Sequence, residues 1–302
     1  MTAMHAAQAE SPFDPANETA YQAWRERKLA HYPQRIEDLV VKIADPYHLT
    51  ESEHQAILER CRRANMAIYV TDVGSVPDKD LVRALGAQFG LQRLDNNMCA
   101  DDDSITSLQV VDRGPHPRYI PYTDRPIHWH TDGYYNELDR QIYGLLLHCV
   151  RPAMQGGENG LLDHELAYIL LRDANPDYIR ALMRPDAMTI PPNRLEGEEL
   201  RPARSGPVFM IDPRNGHLHM RYTKRARNIE WSPDPMVQEA VRYLEHLLDS
   251  DSPYILRATL QPGWGLISNN VLHDRTGFTD DADPANHRLL YRARYYDRIA
   301  GT

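Results

Sequence analysis

The stretch QIYGLLLHCV, residues 141–150, constrains the fold most strongly, because apolar side chains occupy both alternating positions along it. A strand with this pattern is covered by protein on both faces of its sheet. Composition predicts further short strands at 66–70, 217–223 and 254–260. We therefore expect a mostly β protein with helical insertions, in which helices flank a β-sandwich or barrel.

Helical patterns alternate with these strands, at 18–31, 49–64, 77–91, 164–183 and 234–249. Thr50 or Ser52 can cap the helix at 49–64. Pro176 should interrupt the helix at 164–183, because the residue before a proline avoids the helical conformation. We assign 1–45 to an N-terminal extension that contains one helix, and 46–302 to a single domain.

The segment 184–216 is rich in Pro, Arg and Glu and shows little periodicity. A structureless stretch of this length inside a compact domain is more often a functional loop than a linker. We predict that it is a lid-like insertion.

The composition excludes several classes of function. A net charge of −9 argues against a nucleic-acid-binding surface, because contacts to phosphates need clustered Lys and Arg. No apolar run approaches the roughly 20 residues that span a bilayer, and the first residues lack the pattern of a signal peptide. Cys61, Cys99 and Cys149 form no CxxC pair. We expect a cytoplasmic protein that acts on a small molecule and binds neither nucleic acid nor membrane.

The stretch HWHTDGYYN, residues 128–136, places His128, His130 and Asp132 at alternate positions. In an extended strand these three side chains would point to the same face. Two imidazoles and a carboxylate suit iron(II) with three open positions, and they also suit zinc with one. A surface strand with satisfied polar side chains would show the same pattern, so a metal site needs a further histidine.

The candidate for that histidine is His273, in NNVLHDRTGF at 269–278. The preceding QPGWGLIS predicts a tight turn into an apolar strand, and His273 would then lie just past the end of that strand. The alternative is a turn histidine that bonds its neighbour Asp274.

The stretch HRLLYRARYYD, residues 287–297, predicts a strand with two different faces. One face is apolar and aromatic and the other is basic: Leu289, Tyr291, Ala293 and Tyr295 against Arg288, Arg292 and Arg294. A solvated basic edge strand would explain the arginines. The alternative is a guanidinium that points into a barrel and binds a carboxylate through two hydrogen bonds.

The order and spacing of HTD, GGEN, NNVLHDRTGF and RLLYR resemble those of the taurine dioxygenase-like branch of the iron(II)- and 2-oxoglutarate-dependent oxygenases, over about 49–297. The run from HTDGYY to LLDHELAYILL is also similar to the γ-butyrobetaine and trimethyllysine hydroxylases, although the front of this chain has no counterpart to their zinc module. The resemblance implies a double-stranded β-helix, or jelly-roll. It also implies a dioxygenase that uses iron(II), O2 and 2-oxoglutarate to hydroxylate or oxidatively cleave a small polar metabolite, with release of succinate and CO2.

The resemblance implies that His130, Asp132 and His273 bind the iron and that no other residue is catalytic. Arg288 would pair with the distal carboxylate of 2-oxoglutarate. Arg292 matches a position that contacts anionic substrate in the sulfonate-using members.

Two positions depart from the pattern of the family. Asn159 stands where relatives have a threonine that hydrogen-bonds 2-oxoglutarate, and an amide can still donate such a bond. Asp274 stands where relatives commonly have glycine.

Tyr134, Tyr135 and Asn97 are further candidates for substrate contact, and His128 is expected to lie near the metal rather than on it. Inward arginines favour an anionic substrate, whereas paired tyrosines suit a quaternary ammonium. A zinc hydrolase that uses the same His/Asp/His site, or a non-catalytic jelly-roll binding protein, would also fit. Exposed edge strands leave a homo-oligomer open.

Overall fold

The computed structural model describes residues 11–96, 103–110, 120–195, 198–225 and 229–302. In these ranges the chain forms six α-helices and 19 β-strands, most of them short. It divides into two compact units. We call Met1–Tyr32, Gly133–Gln141 and Leu162–Ile255 the helical unit, and Pro33–Asp132, Ile142–Leu161 and Leu256–Thr302 the sheet unit. The mostly β class with helical insertions is confirmed.

The sheet unit contains two helices and most of the long strands. Its helices are α2 (Glu51–Ala64) and α3 (Lys79–Gln88). Its strands are β1 (Val40–Lys42), β2 (Met66–Val70), β3 (Thr106–Leu108), β4 (Ile127–His130), β5 (Gly144–Arg151), β6 (Gln155–Gly156), β7 (Asn159–Leu162, which ends at the unit boundary), β15 (Leu256–Ala258), β16 (Trp264–Ser268), β17 (Leu272–Arg275), β18 (Phe278–Thr279) and β19 (Leu289–Tyr295).

Strand β5 lies inside a six-stranded sheet of order β1-β2-β16-β5-β19-β3. Seven of its eight residues are buried, as its doubly apolar pattern predicts. One face of the sheet packs against the two helices through Leu146 of β5, Tyr291 of β19, Leu58 of α2 and Leu85 of α3. Burying each such side chain contributes about 1.5–3 kcal/mol, so this layer fixes the sheet firmly.

The alternation predicted for β19 is confirmed, and it separates the arginines from the helices. Leu289, Tyr291, Ala293 and Tyr295 all belong to the apolar core beside the helices. Arg292 and Arg294 therefore point to the opposite face, where both are buried. The solvated-edge alternative is wrong, because β19 lies between β5 and β3.

A second sheet of order β15-β7-β17-β4 and a two-stranded pair of β18 with β6 complete the sheet unit. Strand β17 follows β16 after a short turn, and it pairs with β4 in antiparallel register. These strands bring the two histidine motifs of the sequence to one place.

The helical unit contains the other helices and short antiparallel strands. They are α1 (Glu18–Ala30), β8 (Met188–Ile190), β9 (Asn193–Leu195), β10 (Glu198–Arg201), β11 (Arg204–Gly206), β12 (Phe209–Ile211), β13 (Leu218–Met220), β14 (Glu230–Trp231), α4 (His164–Ala174), α5 (Pro176–Leu182) and α6 (Pro235–Leu248). The docking face of α1 includes Tyr21 and Lys28, and the ammonium of Lys28 is buried against Asp163 at 2.6 Å.

Two helix boundaries follow the sequence signals closely. The Thr50 hydroxyl accepts from the N–H of Glu53, whose carboxylate accepts from the N–H of Thr50, so α2 begins with a capping box. Asn175 is extended, with φ −161° and ψ 115°, and separates α4 from α5 in front of Pro176. The predicted interruption is confirmed.

The segment 184–216 is not structureless, which corrects the expectation from its composition. It carries β8 to β12, which pair as β9 with β10, β8 with β11, and β12 with β13. Strands of three or four residues are too short to show an alternating pattern, so the sequence gives little sign of them. Its role as a lid stays a prediction.

No helix in the described ranges combines the length and the apolar composition needed to cross a bilayer.

Candidate metal centre

The imidazoles of His130 and His273 face each other across the β4–β17 ladder. His273 is the register partner of His130, and the two ring centroids are 4.2 Å apart. His273 therefore lies within a short strand, rather than just past the end of β16 as the sequence suggested. Two strands of one sheet hold both rings, which fixes their separation.

Both rings are oriented by main-chain carbonyls two residues earlier in the chain. The Nδ1 of His130 lies 2.9 Å from the carbonyl oxygen of His128, and the Nδ1 of His273 lies 2.9 Å from that of Val271. A carbonyl can only accept, so each Nδ1 carries the proton. Each Nε2 is then the lone-pair nitrogen, which is the form that binds a metal.

Asp132 lies near the two histidines, but it belongs to a turn and not to a continuation of strand β4. Strand β4 ends at His130, and Asp132 lies in the turn that follows. One ligand atom from each of the three residues lies within 4.8 Å of the others. The alternating pattern named His130 and Asp132, which the structure does bring together, although the extended geometry behind the argument stops at His130.

The carboxylate of Asp132 is charged at neutral pH. Burial alone would raise its pKa, but the guanidinium of Arg292 beside it, with help from His130 and Arg294, holds the pKa well below its ordinary value. The Nη1 of Arg292 donates to Oδ1 of Asp132 at 3.3 Å. The Oδ2 of Asp132 is buried and accepts no hydrogen bond from the described residues.

His273 is neutral at neutral pH. Burial, with a smaller contribution from the neighbouring His130, lowers its pKa to about 4. A neutral imidazole and an ionised carboxylate are the protonation states that a divalent metal requires. Asp132 and His273 therefore need little proton release before they bind an ion.

These groups fit a divalent transition metal. Two imidazole nitrogens and one carboxylate on one side are the donor set of non-haem iron(II) sites that keep open positions. The Oδ2 of Asp132, buried and without a partner among the described residues, is the kind of atom that a cation would satisfy.

Asn270, which the sequence reading did not single out, holds the backbone of Asp132. Its Oδ1 accepts from the Asp132 N–H at 2.8 Å, and its Nδ2 donates to the Asp132 carbonyl at 2.9 Å. The sequence offered one signal, the pair Asn269-Asn270 at the start of the motif that contains His273. Nothing in that pair indicates a contact with residue 132.

Arg288 and Asn159 line one cleft of the sheet unit, together with Gly157, Thr259 and Leu290. The cleft measures about 210 Å³ when the open space at its mouth is included. Burial lowers the pKa of Arg288 to about 10, so its guanidinium stays charged. Its Nη1 is buried and has no hydrogen-bond partner among the described residues. Such a donor is available to an acidic ligand.

The ring of Phe278 separates Arg288 from a second buried arginine. The Cζ of Arg288 lies 5.0 Å from the ring centroid, and that of Arg275 lies 4.7 Å from it. Arg275 donates to the carbonyl oxygens of Thr123 and Arg125. The Phe278 ring thus supports the Arg288 guanidinium through cation–π contacts.

Asn159 and Asp274, the two residues that depart from the family pattern, contact each other. The Nδ2 of Asn159 donates to the carbonyl oxygen of Asp274 at 2.9 Å, and the carboxylate of Asp274 accepts from the Gly160 N–H at 2.7 Å. Asp274 therefore stabilises the contact between strands β7 and β17. In the alternative to a metal ligand, His273 would bond Asp274; its Nδ1 instead faces the carbonyl of Val271.

The other residues predicted to lie near the metal or to contact the substrate differ in their surroundings. The side chain of His128 is exposed, so that residue contributes its carbonyl alone to the orientation of His130. Tyr134 and Tyr135 belong to the helical unit, where their rings make an edge contact at 5.1 Å. Arg294 is committed to the carboxylate of Asp95. Asn97 lies outside the described residues.

The comparisons with known proteins agree with this geometry. The model of the family described as "Taurine catabolism dioxygenase TauD, TfdA family" matches residues 27–294. A uridine-5'-phosphate dioxygenase from Amycolatopsis sp is 33% identical over 177 residues, which cover 55% of this chain and 60% of that protein. One of the same name from Streptomyces sp is 30% identical over 200 residues, 64% of this chain and 70% of that protein. The chain thus spans less than two thirds of the Amycolatopsis relative.

Solved structures share the fold at low sequence identity. An asparagine oxygenase in complex with Fe(II), 3-hydroxyasparagine and succinate has a TM-score of 0.55 and 17% identity, with 81% of each chain covered. The non-haem iron oxygenase OrfP in complex with Fe and α-ketoglutaric acid has a TM-score of 0.60 and 16% identity, and the match covers 82% of this chain and 81% of that one.

Proposed function

The chain belongs to the taurine catabolism dioxygenase TauD, TfdA family, and from this premise we propose that it is an iron(II)- and 2-oxoglutarate-dependent dioxygenase of a small anionic metabolite. The observation that carries the proposal is the convergence of His130, Asp132 and His273 within 4.8 Å. These residues come from two distant motifs, and a chance arrangement would not also place an arginine beside the carboxylate.

In the proposed enzyme His130, Asp132 and His273 hold iron(II), and a jelly-roll encloses the site. Iron bound there, with O2, supplies the oxidising chemistry that converts 2-oxoglutarate to succinate and CO2 and oxidises a substrate C–H bond. Arg288 anchors the far carboxylate of 2-oxoglutarate through its unpaired buried donor, and Asn159 lines the same cleft. The protein's own contribution is to fix these positions.

The substrate is proposed to carry an anionic group, and a nucleoside 5'-phosphate is the first candidate. Two relatives are named uridine-5'-phosphate dioxygenases. Arg292 supports this choice, because its guanidinium is buried beside Asp132 and its Nε has no hydrogen-bond partner in the described part of the chain. A quaternary ammonium is less favourable next to this charge. Tyr134, Tyr135 and Asn97 stay candidates for substrate contact.

The two rival classes are not favoured. A zinc hydrolase has no use for the buried Arg288 donor, and a non-catalytic binding protein has no use for three preformed metal ligands. The γ-butyrobetaine subgroup, a cytoplasmic location and a homo-oligomer stay predictions.

An anaerobic titration tests the proposal directly. Iron(II) plus 2-oxoglutarate should produce a weak visible charge-transfer band in the wild-type protein. His130→Ala should abolish the band, whereas His128→Ala, which removes an exposed imidazole two residues away, should retain it. A wild-type spectrum that does not respond to 2-oxoglutarate would refute the proposed cofactor use.

A succinate-release screen tests the substrate class. We expect uridine 5'-phosphate to increase succinate formation and uridine, which lacks the phosphate, to do so far less. Small amino acids, sulfonates and betaines complete the panel. Equal stimulation by uridine and its phosphate would contradict the anionic-group proposal while leaving the dioxygenase class intact.

A further inference from the structure

We infer that Asn270 is the positioning residue of the metal centre, and that its side chain sets the placement of the Asp132 carboxylate. This inference rests on the proposed function, since it concerns the same three ligands. Asn270 is 2% exposed. Its three side-chain hydrogen bonds within the described residues all join main-chain atoms.

The side chain of Asn270 uses its acceptor and both donors. Besides the two bonds to the backbone of Asp132, its Nδ2 donates to the carbonyl oxygen of Ile142 at 2.7 Å. One amide thus joins the turn before β17, the turn that carries Asp132, and the segment that leads into β5. Aspartate lacks the donors, and glutamine is one methylene longer, so asparagine alone satisfies all three partners at this distance.

The backbone at Asn270 also suits asparagine. Its φ is +53°, in the left-handed region that few residues other than glycine adopt without strain. Asparagine is among the residues that tolerate it best. With this conformation the amide of Asn270 reaches the backbone of Asp132.

Asp132 is positioned by a residue that is distant in the chain, whereas the two histidines are positioned by nearby carbonyls. Each imidazole is oriented by a carbonyl within its own strand segment. The Asp132 carboxylate lies 3.3 Å from Arg292 Nη1 and 3.7 Å from His130 Nε2, both at Oδ1, and Oδ2 has no hydrogen-bond partner among the described residues. The backbone of Asp132 must therefore be held from outside, and Asn270 holds both its N–H and its carbonyl.

Metal affinity separates a positioning role from a purely structural one. Mn(II), which does not oxidise during the measurement, is titrated into the metal-free full chain, and free ion is followed by electron paramagnetic resonance. The main variant is Asn270→Gly, because glycine adopts φ +53° without strain and removes only the side chain. Loss of an oriented outer partner typically weakens metal binding about 10- to 100-fold. We expect a Kd increase in that range.

Asn269 provides a matched control. It is the adjacent asparagine and equally buried, and its amide bonds Asn65, Thr302 and the N–H of Ile299, away from the three ligands. Asn269→Ala should lower the melting temperature but keep the Mn(II) Kd within about twofold of wild type. A merely structural role for Asn270 predicts that both variants lose melting temperature and that neither loses affinity.

The outcomes are distinguishable. A wild-type Kd in Asn270→Gly overturns the inference while the proposed function stands. If that variant fails to fold, Asn270→Ser is measured in its place, with the same expected and contradicting results. A wild-type chain that binds no Mn(II) overturns the proposed function and this inference together.

Discussion

His273 and His130 are register partners on neighbouring antiparallel strands, and their Nδ1 atoms both face main-chain carbonyls. Strand pairing therefore fixes the distance between the rings, and the carbonyls fix their rotation. A site built on strands in this way is more rigid than one built on loops. Only Asp132 comes from a turn, and it is the ligand that needs outside support.

The buried His273 should make the stability of the metal-free protein depend on pH. Its pKa is about 4 in the folded protein, below the ordinary value of 6.5, so between these two values the unfolded chain binds more protons. The free energy of unfolding should therefore fall as the pH falls through this window, by about 2 kcal/mol between pH 7 and pH 5. Urea denaturation at both pH values measures it.

His273→Gln tests the origin of that dependence, because glutamine does not titrate. The variant should lose less stability than wild type over the same interval. His48→Gln is the control, since the His48 side chain is 86% exposed, and it should keep the wild-type pH dependence. Identical dependence in His273→Gln and wild type would show that His273 is not the source.

Arg288→Lys should raise the KM for 2-oxoglutarate. Lysine keeps the charge but cannot present two parallel N–H donors to a carboxylate. Loss of such a charge-assisted contact costs about 1.5–3 kcal/mol, which corresponds to a KM increase of about 10- to 100-fold. Succinate formation measured against 2-oxoglutarate concentration gives both KM and kcat, and we expect the larger change in KM.

Arg294→Lys is the matched control for Arg288→Lys. Arg294 is a buried arginine of β19, the strand that begins directly after Arg288, but it pairs with Asp95. Its replacement should reduce stability and leave the KM for 2-oxoglutarate within about twofold. An equal rise in KM for both variants would mean that the strand, and not the Arg288 guanidinium, determines 2-oxoglutarate binding.

Local signals predicted much of the fold. The strand at 66–70 was predicted at its observed bounds, because the β-branched and aromatic residues Ile68, Tyr69 and Val70 favour the extended state. Thr50 and Pro176 marked real helix boundaries, since capping and proline effects act within one turn. The alternating faces of β19 were also visible, because the period of a strand is short compared with its seven residues.

The parts of the site that the sequence did not predict depend on distant contacts. The pairing of β4 with β17 places His273 opposite His130, and no periodic pattern specifies which strands pair. Asn270 bonds the backbone of a residue 138 positions away. The sequence around an asparagine in a turn does not show whether its side chain makes such a distant bond. The resemblance to a family named the three candidate ligands, whereas their geometry required the structure.

The segment 184–216 should become resistant to protease when the active site is filled, if it acts as a lid. It carries five arginines, and trypsin can cut after the three that no proline follows: Arg194, Arg204 and Arg214. We expect rapid cleavage in the free protein and slow cleavage with Mn(II), 2-oxoglutarate and uridine 5'-phosphate present. Mass spectrometry of the fragments locates the cuts. Equal cleavage in both states would eliminate the lid.

Gly156→Ala should destabilise the sheet unit strongly, because two effects act at once. Gly156 has φ +79°, and a Cβ there would lie 2.3 Å from the carbonyl oxygen of Gly277, a main-chain atom on the neighbouring strand. Backbone strain alone costs about 1 kcal/mol, and overpacking against rigid backbone adds about 1–3 kcal/mol. We expect a loss of about 2–4 kcal/mol in the free energy of unfolding, measured by urea denaturation.

Gly216→Ala isolates the strain contribution. Gly216 has a similar φ of +76°, but a Cβ there would meet no atom within 4 Å. This variant should lose only about 1 kcal/mol. Because Gly156 also lines the cleft of Arg288, Gly156→Ala should raise the KM for 2-oxoglutarate and Gly216→Ala should not. Equal losses of stability in the two variants would show that the β6–β18 pair shifts to accept the extra methyl group.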